Sequence, residues 1–367
     1  MIEGAIDLRL GSPCAPPPDL VIDAMASAAD SLGPYGKSVG SPVFRQAAAD
    51  WMRRRLDVEI DPESVAACVG TKEFVAGLAL LLGAGCGRGR DTVLIPAVAY
   101  PTYAVGAELA GCRVVRVPMT DRFTLDLAGV DADDAARSRL LWVNSPGNPA
   151  GGLDDLEAAA AWGRERGIVV CSDECYVEYT WSGAPVGEVG LPASTMLSSG
   201  TSGVLALHSL SKRSNLAGGR IGFYAGDAAL IAELGERRRE LGLVVPGPMQ
   251  AAGATAWSDQ QHVTEQRERY LRRLERLAEA AVSAGCFDVR LPEGGFYLWL
   301  DVGDDDRAAV ATLAGAGVLV QPGSIYGAAG AGRVRLAAVR PDAEIDEAAR
   351  RLEALRGVLA GGAGWRR

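Results

Sequence analysis

Short apolar runs alternate with longer amphipathic stretches from about residue 65 to residue 225. The apolar runs predict strands at Val65–Val69, Val93–Ile95, Arg113–Val117, Leu140–Val143, Ile168–Ser172, Val204–Ser209 and Ile221–Ala225. The stretches between them predict helices that include Lys72–Leu82, Tyr103–Ala110 and Asp154–Arg166. Near-continuous apolar strands that alternate with helices are typical of a mostly parallel sheet covered on both faces. We therefore predict an α/β fold whose ligands bind beyond the carboxyl ends of the strands.

The pattern changes after residue 247. A long charged helix is predicted over Gln260–Ala284 and a last helix over Asp342–Leu359, because apolar residues recur there at helical spacing. Short strands are predicted between them at Phe287–Val289, Phe296–Asp301, Val318–Gln321 and Arg333–Ala338. We predict an N-terminal arm over residues 1–34, a large domain over 35–247 and a smaller α+β domain over 248–367. The proline-rich arm should be extended and pack with the small domain, and the tail 361–367 should be frayed.

The composition is that of a soluble globular protein, with 367 residues, 48% hydrophobic and 23% charged. A chain of this length exceeds one small core, which agrees with one large domain and a smaller one. The net charge of -9 argues against a general nucleic-acid binder. No apolar stretch approaches the roughly 18 residues of a membrane span. The N-terminus shows no signal peptide, so we expect a cytoplasmic protein.

Seven cysteines are scattered along the chain without a CxxC pair, and there are only two histidines. Neither a metal site nor a disulfide framework is expected from this pattern. Reduced, buried thiols in a cytosolic protein are the simpler interpretation. With so few histidines, proton transfer should fall to a lysine, a tyrosine or a carboxylate.

The most informative run is HSLSKRSNLAGGRIGF, residues 208–223, which begins within a predicted strand. Lysine forms Schiff bases with carbonyls, while serine and arginine bind phosphate oxygens. Lys212, Ser209 and Arg220 together therefore indicate pyridoxal phosphate held on a lysine. Alone, an SxSK run is better explained by a solvated basic loop. The choice between that loop and a pyridoxal-phosphate site therefore depends on the residues at the other strand ends.

Two further strand ends carry polar residues that suit the same cofactor. Asp173 can pair with a protonated ring nitrogen, and Tyr176 can then reach the neighbouring phenolic oxygen. A helix N-cap and a packed tyrosine explain this pair equally well. Asn148 lies in a turn with two prolines, where it can donate to a cofactor oxygen or serve the turn alone.

Three weaker signals complete the set. Thr71 and Lys72 begin a predicted helix, whose backbone N–H groups can bind an anion, as at many strand–helix junctions. Tyr100 can stack on a flat ring or simply pack in the core. Arg335, in the apolar run VRLAAV, suits a carboxylate or phosphate, although an edge-strand surface position explains it too.

The order of these motifs resembles that of the class I/II aminotransferases, which are fold-type I pyridoxal-phosphate enzymes. The resemblance covers nearly the whole chain. A glycine-bearing arm precedes YxxxxGxxxxR (35–45), GTKE (70–73), YPxY (100–103), NxPxNPxG (144–151), DExY (173–176), SxSKxxxxxxxR (209–220), PGSxYG (322–327) and VRL (334–336). Each motif is weak or moderate alone, but their shared order is specific.

The resemblance implies a role for each candidate residue. Lys212 would be the Schiff-base lysine and proton shuttle, and Asp173 would pair with the pyridine nitrogen. The active sites of this family lie at a dimer interface, so a homodimer is implied. The other implied contacts are Tyr176 and Asn148 on the phenolic oxygen, Tyr100 on the ring, Ser209, Arg220 and the Thr71 and Lys72 N–H groups on the phosphate, Tyr35 on the partner subunit's phosphate, and Arg335, Gly11 and Asn148 on the substrate α-carboxylate.

The chain is most similar to the actinobacterial succinyldiaminopimelate aminotransferases, through residues 70–78, 99–111 and 208–227. That resemblance implies transfer from L-glutamate to N-succinyl-2-amino-6-oxopimelate, in diaminopimelate and lysine biosynthesis. The stretch YGKSVG (35–40) departs from the expected YPxTxG, and Lys37 and the loop 181–203 should lie near the substrate entrance. A relative in specialised metabolism remains an alternative, with transamination, β/γ-elimination, cyclisation or hydroxylation of another amino acid. A non-catalytic binding module is a further alternative, against which the intact Lys212, Asp173 and Arg220 argue.

Overall fold

The computed structural model describes residues 4–83, 89–181, 194–286, 289–303 and 305–355. In chain order, strands β1 to β12 span Ile6–Asp7, Val65–Cys68, Thr92–Pro96, Arg113–Val117, Ser138–Asn144, Val169–Asp173, Val204–Ser209, Gly222–Gly226, Tyr297–Asp301, Val318–Leu319, Gln321–Pro322 and Arg333–Ala337. Helices α1 to α12 span Asp19–Ser27, Pro42–Leu56, Thr71–Leu81, Thr102–Leu109, Ala132–Arg137, Leu156–Arg166, Leu210–Arg213, Ala228–Glu240, Gly247–Ser258, Gln261–Ser283, Asp306–Gly315 and Asp342–Glu353. None of the described helices is long and apolar enough to cross a membrane.

The central sheet confirms the predicted α/β fold. Its seven strands lie in the order β2-β8-β7-β6-β5-β3-β4, and β8 alone runs antiparallel to its neighbours. All seven predicted strands are present, and their ends differ from the predicted ones by at most two residues. The three predicted helices α3, α4 and α6 are confirmed with similar small differences.

Both faces of this sheet are buried, because alternate side chains of a strand point to opposite faces. In β5, Leu141 and Val143 pack with Trp51, Phe223 and other residues of one apolar layer. Leu140 and Trp142 pack into the opposite layer. Burial on both faces explains why the strands read as continuous apolar runs in the sequence.

A second, three-stranded antiparallel sheet has the order β11-β12-β9. The single strand predicted over Val318–Gln321 is wrong. Val318–Leu319 pairs with β1 in the N-terminal arm, whereas Gln321–Pro322 pairs with β12. The chain changes sheets at Val320, which is buried between the two pairings.

Other expectations for the C-terminal part have mixed outcomes. The long helix is confirmed as α10, and the last helix begins at Asp342 as predicted. Residues 287–288 and 356–367, with the end of that helix and the tail, lie outside the described residues. Val289, the end of one predicted strand, does not belong to a strand.

The N-terminal arm is not extended throughout. Its first part forms β1, which pairs with β10, and Leu8 packs with the small-sheet core. After the prolines the arm forms α1, whose Val21 is fully buried in the layer that also contains Trp257 of α9. Burial of one apolar side of α1 stabilises a short helix that has no side-chain N-cap.

The carboxyl ends of β5, β6 and β7 meet at one edge of the central sheet. Asn144 lies opposite Asp173 in the register, and Asp173 lies opposite Leu207. The polar residues that end these strands are therefore brought together, as expected for a parallel sheet.

Candidate active site

A cleft of about 780 Å³ opens at this edge of the sheet. It extends to the second sheet and to the N-terminal arm. Every predicted site residue except Tyr35 lines it: Gly11, Thr71, Lys72, Tyr100, Asn148, Asp173, Tyr176, Ser209, Lys212, Arg220 and Arg335. The size falls within the range of about 300–1,000 Å³ that is common for small-molecule sites.

Lys212 lies on the four-residue helix α7, directly after strand β7. The Ser209 hydroxyl caps this helix by accepting from the Ser211 N–H group at 3.1 Å. The Tyr179 hydroxyl donates to the Lys212 carbonyl at 2.9 Å. The Lys212 ammonium donates to the carbonyl of Gly11 in the arm. Both ends of the lysine are thus positioned, and its amine faces the cleft.

Asp173 is buried at the base of the cleft, with 7% of its surface exposed. Its Oδ2 accepts from the Tyr103 hydroxyl at 2.9 Å, and its Oδ1 accepts from the Cys175 N–H group at 3.2 Å. Burial raises the pKa of Asp173, while the hydrogen bonds from Cys175 and Tyr103 oppose that rise. A buried carboxylate held this way favours a cationic partner such as a protonated ring nitrogen.

Asn148 follows strand β5 and Tyr176 follows strand β6, and both line the cleft. The Tyr176 hydroxyl is 3.0 Å from that of Tyr297, and burial raises the pKa of Tyr176 well above its ordinary value. Asn144 accepts from the Asn148 N–H group at 2.8 Å and donates to the Asp173 carbonyl at 2.8 Å. Asn144 therefore fixes the turn that presents Asn148.

Arg220 and the first turn of α3 form a cationic rim of the cleft. The Arg220 side chain is exposed, and its guanidinium donates to the Ala217 carbonyl at 2.9 Å. Gly70 precedes α3 with a φ of +74° and no side-chain cap, so the N–H groups of the first turn stay open. A Cβ atom at Gly70 would be 2.7 Å from Arg220 Cζ, so only glycine allows this approach. The arrangement suits a phosphate.

Arg335 reaches the cleft from strand β12. It donates to Asn148 Oδ1 at 2.7 Å and to the Arg9 carbonyl at 2.6 Å, and its guanidinium carbon stacks 4.0 Å from the Tyr297 ring centre. Its Nε is buried without a hydrogen-bond partner among the described residues. A guanidinium with an unused donor in a cleft suits a carboxylate ligand.

Tyr35 does not line the cleft of its own chain. It is fully exposed, at 104% relative accessibility, and Lys37 is exposed beside it. A contact of Tyr35 with the partner's phosphate therefore stays a prediction. Residues 182–193, which make up most of the loop 181–203, lie outside the described residues.

Three residues of the site were not predicted from the sequence: Tyr103, Asn144 and Tyr297. Tyr103 belongs to the YPxY motif, but only Tyr100 was assigned a role in the site. Asn144 ends a predicted strand, and its spacing of four residues from Asn148 is the one available signal. Tyr297 enters the cleft from the other sheet, and no local pattern marks it.

The family model described as aminotransferase class I and II matches residues 3–352. This chain is a class I/II aminotransferase. A 4-dedimethylamino-4-oxo-anhydrotetracycline transaminase of Streptomyces rimosus is 44% identical to it over 353 residues, which cover 95% of this chain and 93% of that protein. An LL-diaminopimelate aminotransferase of Dehalococcoides mccartyi is 32% identical over 359 residues, covering 94% and 89%. The solved structure of a probable N-succinyldiaminopimelate aminotransferase from Thermus thermophilus has a TM-score of 0.86 at 31% identity, covering 96% and 95%.

The fold is that of the fold-type I aminotransferases, and the cofactor of this aminotransferase is pyridoxal phosphate. The residues present fit that group. The cleft contains an amine on Lys212, a buried carboxylate on Asp173 and an exposed guanidinium on Arg220. These three groups match the aldehyde, the ring nitrogen and the phosphate of pyridoxal phosphate.

Proposed function

We propose that this aminotransferase takes its amino group from L-glutamate and transfers it to N-succinyl-2-amino-6-oxopimelate. The observation that carries the proposal is that Arg335 and Lys212 line one cleft. Arg335 would bind the α-carboxylate of an amino acid or α-keto acid, and Lys212 would then face its Cα atom. Both substrates have a carboxylate directly beside the reacting carbon.

We assign the cofactor contacts to the residues that line the cleft. Asp173 would hold the ring nitrogen, Tyr176 and Asn148 the phenolic oxygen, and Tyr100 the ring face. Ser209, Arg220 and the first N–H groups of α3 would hold the phosphate. When bound, pyridoxal phosphate supplies an aldehyde carbon and an electron-withdrawing ring.

Lys212 would carry the proton transfers. Its free amine would take the proton from the substrate Cα as a general base and would deliver it, as a general acid, to the carbon that the cofactor aldehyde supplies. The Tyr179 hydroxyl, which holds the Lys212 carbonyl, keeps the amine within reach of the cleft. The N-terminal arm would border the substrate, because Gly11 lines the cleft and its carbonyl accepts from the Lys212 ammonium.

Two further cationic side chains line the cleft. They belong to Arg9 and Lys72, and Arg9 is paired with Asp7 at 2.8 Å. N-succinyl-2-amino-6-oxopimelate has carboxylates beyond the one at its reacting end, and these cations suit them. The diaminopimelate-related names of two relatives support the same substrate class.

A second candidate acceptor is a ketone whose oxo group lies on a larger ring system. The relative with 44% identity is named as a transaminase of a 4-oxo-anhydrotetracycline. For such an acceptor, Arg335 would serve the amino donor only. The cleft of about 780 Å³ is compatible with either size of acceptor.

The first experiment is an absorbance scan of the cofactor-loaded enzyme before and after L-glutamate. Conversion of the bound cofactor to its amine form, with release of 2-oxoglutarate, is expected. Unchanged absorbance would remove glutamate as donor and direct the search to other donors or to elimination and cyclisation. Lys212→Ala should abolish the conversion, and near-normal turnover by that variant would overturn the assignment of Lys212.

The acceptor is then identified by comparing candidate acceptors one at a time. The amine form of the enzyme is mixed separately with N-succinyl-2-amino-6-oxopimelate, with 2-oxoglutarate and with an anhydrotetracycline ketone, and the rate of return to the aldehyde form is measured for each. The kcat/KM for the succinylated acceptor is expected to be at least tenfold higher than that for the ring ketone. A higher value for the ring ketone would replace the first substrate by the second.

We also infer a homodimer in which Tyr35 completes the partner's site. The exposure of both Tyr35 and Leu32, three residues apart, supports this inference, since neighbouring exposed apolar side chains often mark an interaction site. Sedimentation should give a mass near twice 38.3 kDa, and Tyr35→Ala should weaken cofactor binding. A monomeric active enzyme would contradict the inference. The domain boundaries and the cytoplasmic location stay predictions.

A further inference from the structure

Three polar side chains form a linear chain behind the cleft. The Ser214 hydroxyl is 2.8 Å from His262 Nε2, and His262 Nδ1 contacts Asp259 Oδ2. Ser214 is fully buried, and the His262 side chain is 12% exposed. These residues do not line the cleft, and no cofactor contact uses them.

The direction of each hydrogen bond follows from the donors available. Arg213 Nη1 donates to the Ser214 oxygen at 3.3 Å, and Arg213 has no acceptor to offer. The Ser214 O–H group is left to donate to His262 Nε2, and His262 Nδ1–H then donates to Asp259. One neutral tautomer of His262 satisfies every bond. Burial lowers the pKa of His262, and Arg213 lowers it further, while Asp259 opposes both.

The arrangement has the order of a serine–histidine–aspartate triad, but it is not a nucleophilic site. A nucleophilic serine must meet its substrate. Ser214 has no exposed surface, and its oxygen already accepts from Arg213. The chain of bonds therefore acts on the protein itself, by holding the segments at its two ends.

One end of this chain is the segment that presents Lys212. Ser214 is the residue that follows α7, two positions after the lysine. Arg213 is 2% exposed and also pairs with Glu178, 3.1 Å from its Nε. The lysine segment is therefore tied to buried groups directly behind the cleft.

The other end is the connection between α9 and α10. Asp259 follows α9, and its carboxylate also accepts from the His262 N–H group at 3.1 Å, at the start of α10. Helix α9 packs in the central-sheet core through Trp257, whereas α10 packs in the small-sheet core through Leu274 and Leu277. The chain of bonds thus joins the lysine segment to the point where the protein passes from one core to the other.

We propose that His262 is a positioning residue for Lys212. Through its hydrogen bond with Ser214, it fixes the end of α7 relative to the α9–α10 connection. The Lys212 amine thereby keeps its orientation toward the cleft during proton transfer. The inference rests on the proposed function of Lys212, but the geometric part does not depend on the substrate. Arg213 holds the same connection in parallel, because it donates to the carbonyl groups of Ala256 at 2.6 Å and Asp259 at 2.9 Å. Loss of either His262 or Ser214 therefore loosens the lysine segment without releasing it, and the two losses have the same effect because they remove one shared hydrogen bond.

The test uses hydrogen exchange and kinetics on the full-length enzyme with pyridoxal phosphate bound. In His262→Ala and Ser214→Ala, amide exchange of the peptide covering residues 209–216 should accelerate roughly tenfold, since each substitution removes the same net hydrogen bond. The double variant should accelerate no more than either single variant, because coupled partners are non-additive. The matched control is Gln261→Ala, an exposed neighbour on the same turn, which should exchange like wild type.

The kinetic readout separates positioning from general damage. In the glutamate reaction, kcat should fall roughly tenfold while KM stays within twofold, because Arg335 still binds the carboxylate. Additive acceleration of exchange, or wild-type exchange in both single variants, overturns the proposal. The proposal is also overturned if kcat/KM falls in His262→Ala and Ser214→Ala only because KM rises, with kcat unchanged. If wild type does not use glutamate, the proposed function fails, and the exchange cycle still decides the role of His262.

Discussion

The hydroxyl of Tyr103 donates to Oδ2 of Asp173 at 2.9 Å, across 70 positions of sequence. Tyr103 is fully buried and stacks on Trp142, with ring centres 4.9 Å apart. The bond stabilises the charged form of a carboxylate whose pKa is raised by burial. Tyr103 therefore supports the ion pair that Asp173 would make with the cofactor ring.

Tyr103→Phe should weaken cofactor binding and lower kcat. A hydrogen bond to a charged group contributes about 1.5–3 kcal/mol, so the dissociation constant of pyridoxal phosphate should rise at least roughly tenfold. Equilibrium titration of the cofactor-free enzyme measures it. Tyr224→Phe is the matched control, because Tyr224 lies in the same core and its hydroxyl has no partner among the described residues. Equal behaviour of the two variants would contradict the role of Tyr103.

Arg335→Lys should impair the use of amino acids. Lysine keeps the charge but loses the forked geometry that reaches both Asn148 and a carboxylate. The kcat/KM for the amino donor should fall by roughly 10- to 100-fold, the equivalent of one charged hydrogen bond or more. Steady-state kinetics with varied glutamate measures it. The control is Arg333→Lys on the same strand, where the side chain is partly exposed and 3.4 Å from Asp301; a similar loss there would refute the prediction.

Local pattern was sufficient for the central sheet, because every strand except the edge strand β4, where Arg113 and Arg116 are exposed, is buried on both faces and is largely apolar in sequence. It was insufficient where a partner lies far away in sequence. The division of Val318–Gln321 into two strands depends on β1, some 300 positions earlier, which no window of sequence contains. The same holds for Tyr103, whose partner becomes visible only once the order of β3, β5 and β6 is known.

The same contrast between local pattern and distant contacts applies to the site residues. Lys212, Asp173 and Arg220 were predicted because each belongs to a short motif at a strand end. Tyr297 and His262 act through contacts between separate elements, and neither stands in a motif of its own. Tyr35 differs again, because its proposed partner is a second copy of the chain.

Gly11→Ala should displace the N-terminal arm. A Cβ atom there would be 2.6 Å from Cζ of Tyr297, which is 3% exposed and held by the Tyr176 hydroxyl. Because the Gly11 carbonyl accepts from Lys212, we expect a fall in kcat/KM of more than tenfold and about 1–3 kcal/mol of lost stability from overpacking. Gly315→Ala is the control, since a Cβ atom meets open space at the end of α11. An active, equally stable Gly11→Ala enzyme would show that the arm moves freely.

Glu174 and His208 form a buried contact of neutral groups behind Asp173. Their side chains are 0% and 1% exposed, and His208 Nε2 lies 3.4 Å from Glu174 Oε2. Burial raises the pKa of Glu174 from 4.5 to about 7 and lowers the pKa of His208 from 6.5 to about 3. Across the intervening range the carboxyl keeps its proton and the imidazole gains none, so the contact is not an ion pair.

The two groups make opposite contributions to stability as pH changes. Between about pH 4.5 and 7, folded Glu174 holds a proton that the unfolded chain has lost, so its contribution falls as pH rises. Between about pH 3 and 6.5, folded His208 lacks a proton that the unfolded chain binds, so its contribution rises with pH. In the shared range the two slopes, each about 1.4 kcal/mol per pH unit, largely cancel.

Glu174→Gln should remove the contribution of Glu174, so that the pH dependence of the free energy of unfolding that His208 causes is no longer cancelled. The free energy of unfolding of the variant minus that of wild type should increase by about 1.4 kcal/mol per pH unit up to about pH 7 and then level off. Urea unfolding of the cofactor-free enzyme at fixed protein concentration measures it. His208→Gln provides the internal control, because its difference from wild type should decrease by a similar amount per unit below about pH 6.5. Parallel pH curves for Glu174→Gln and wild type would mean that the pKa of Glu174 is the same in the folded and the unfolded chain, so that Glu174 loses its proton near pH 4.5 in the folded protein as well.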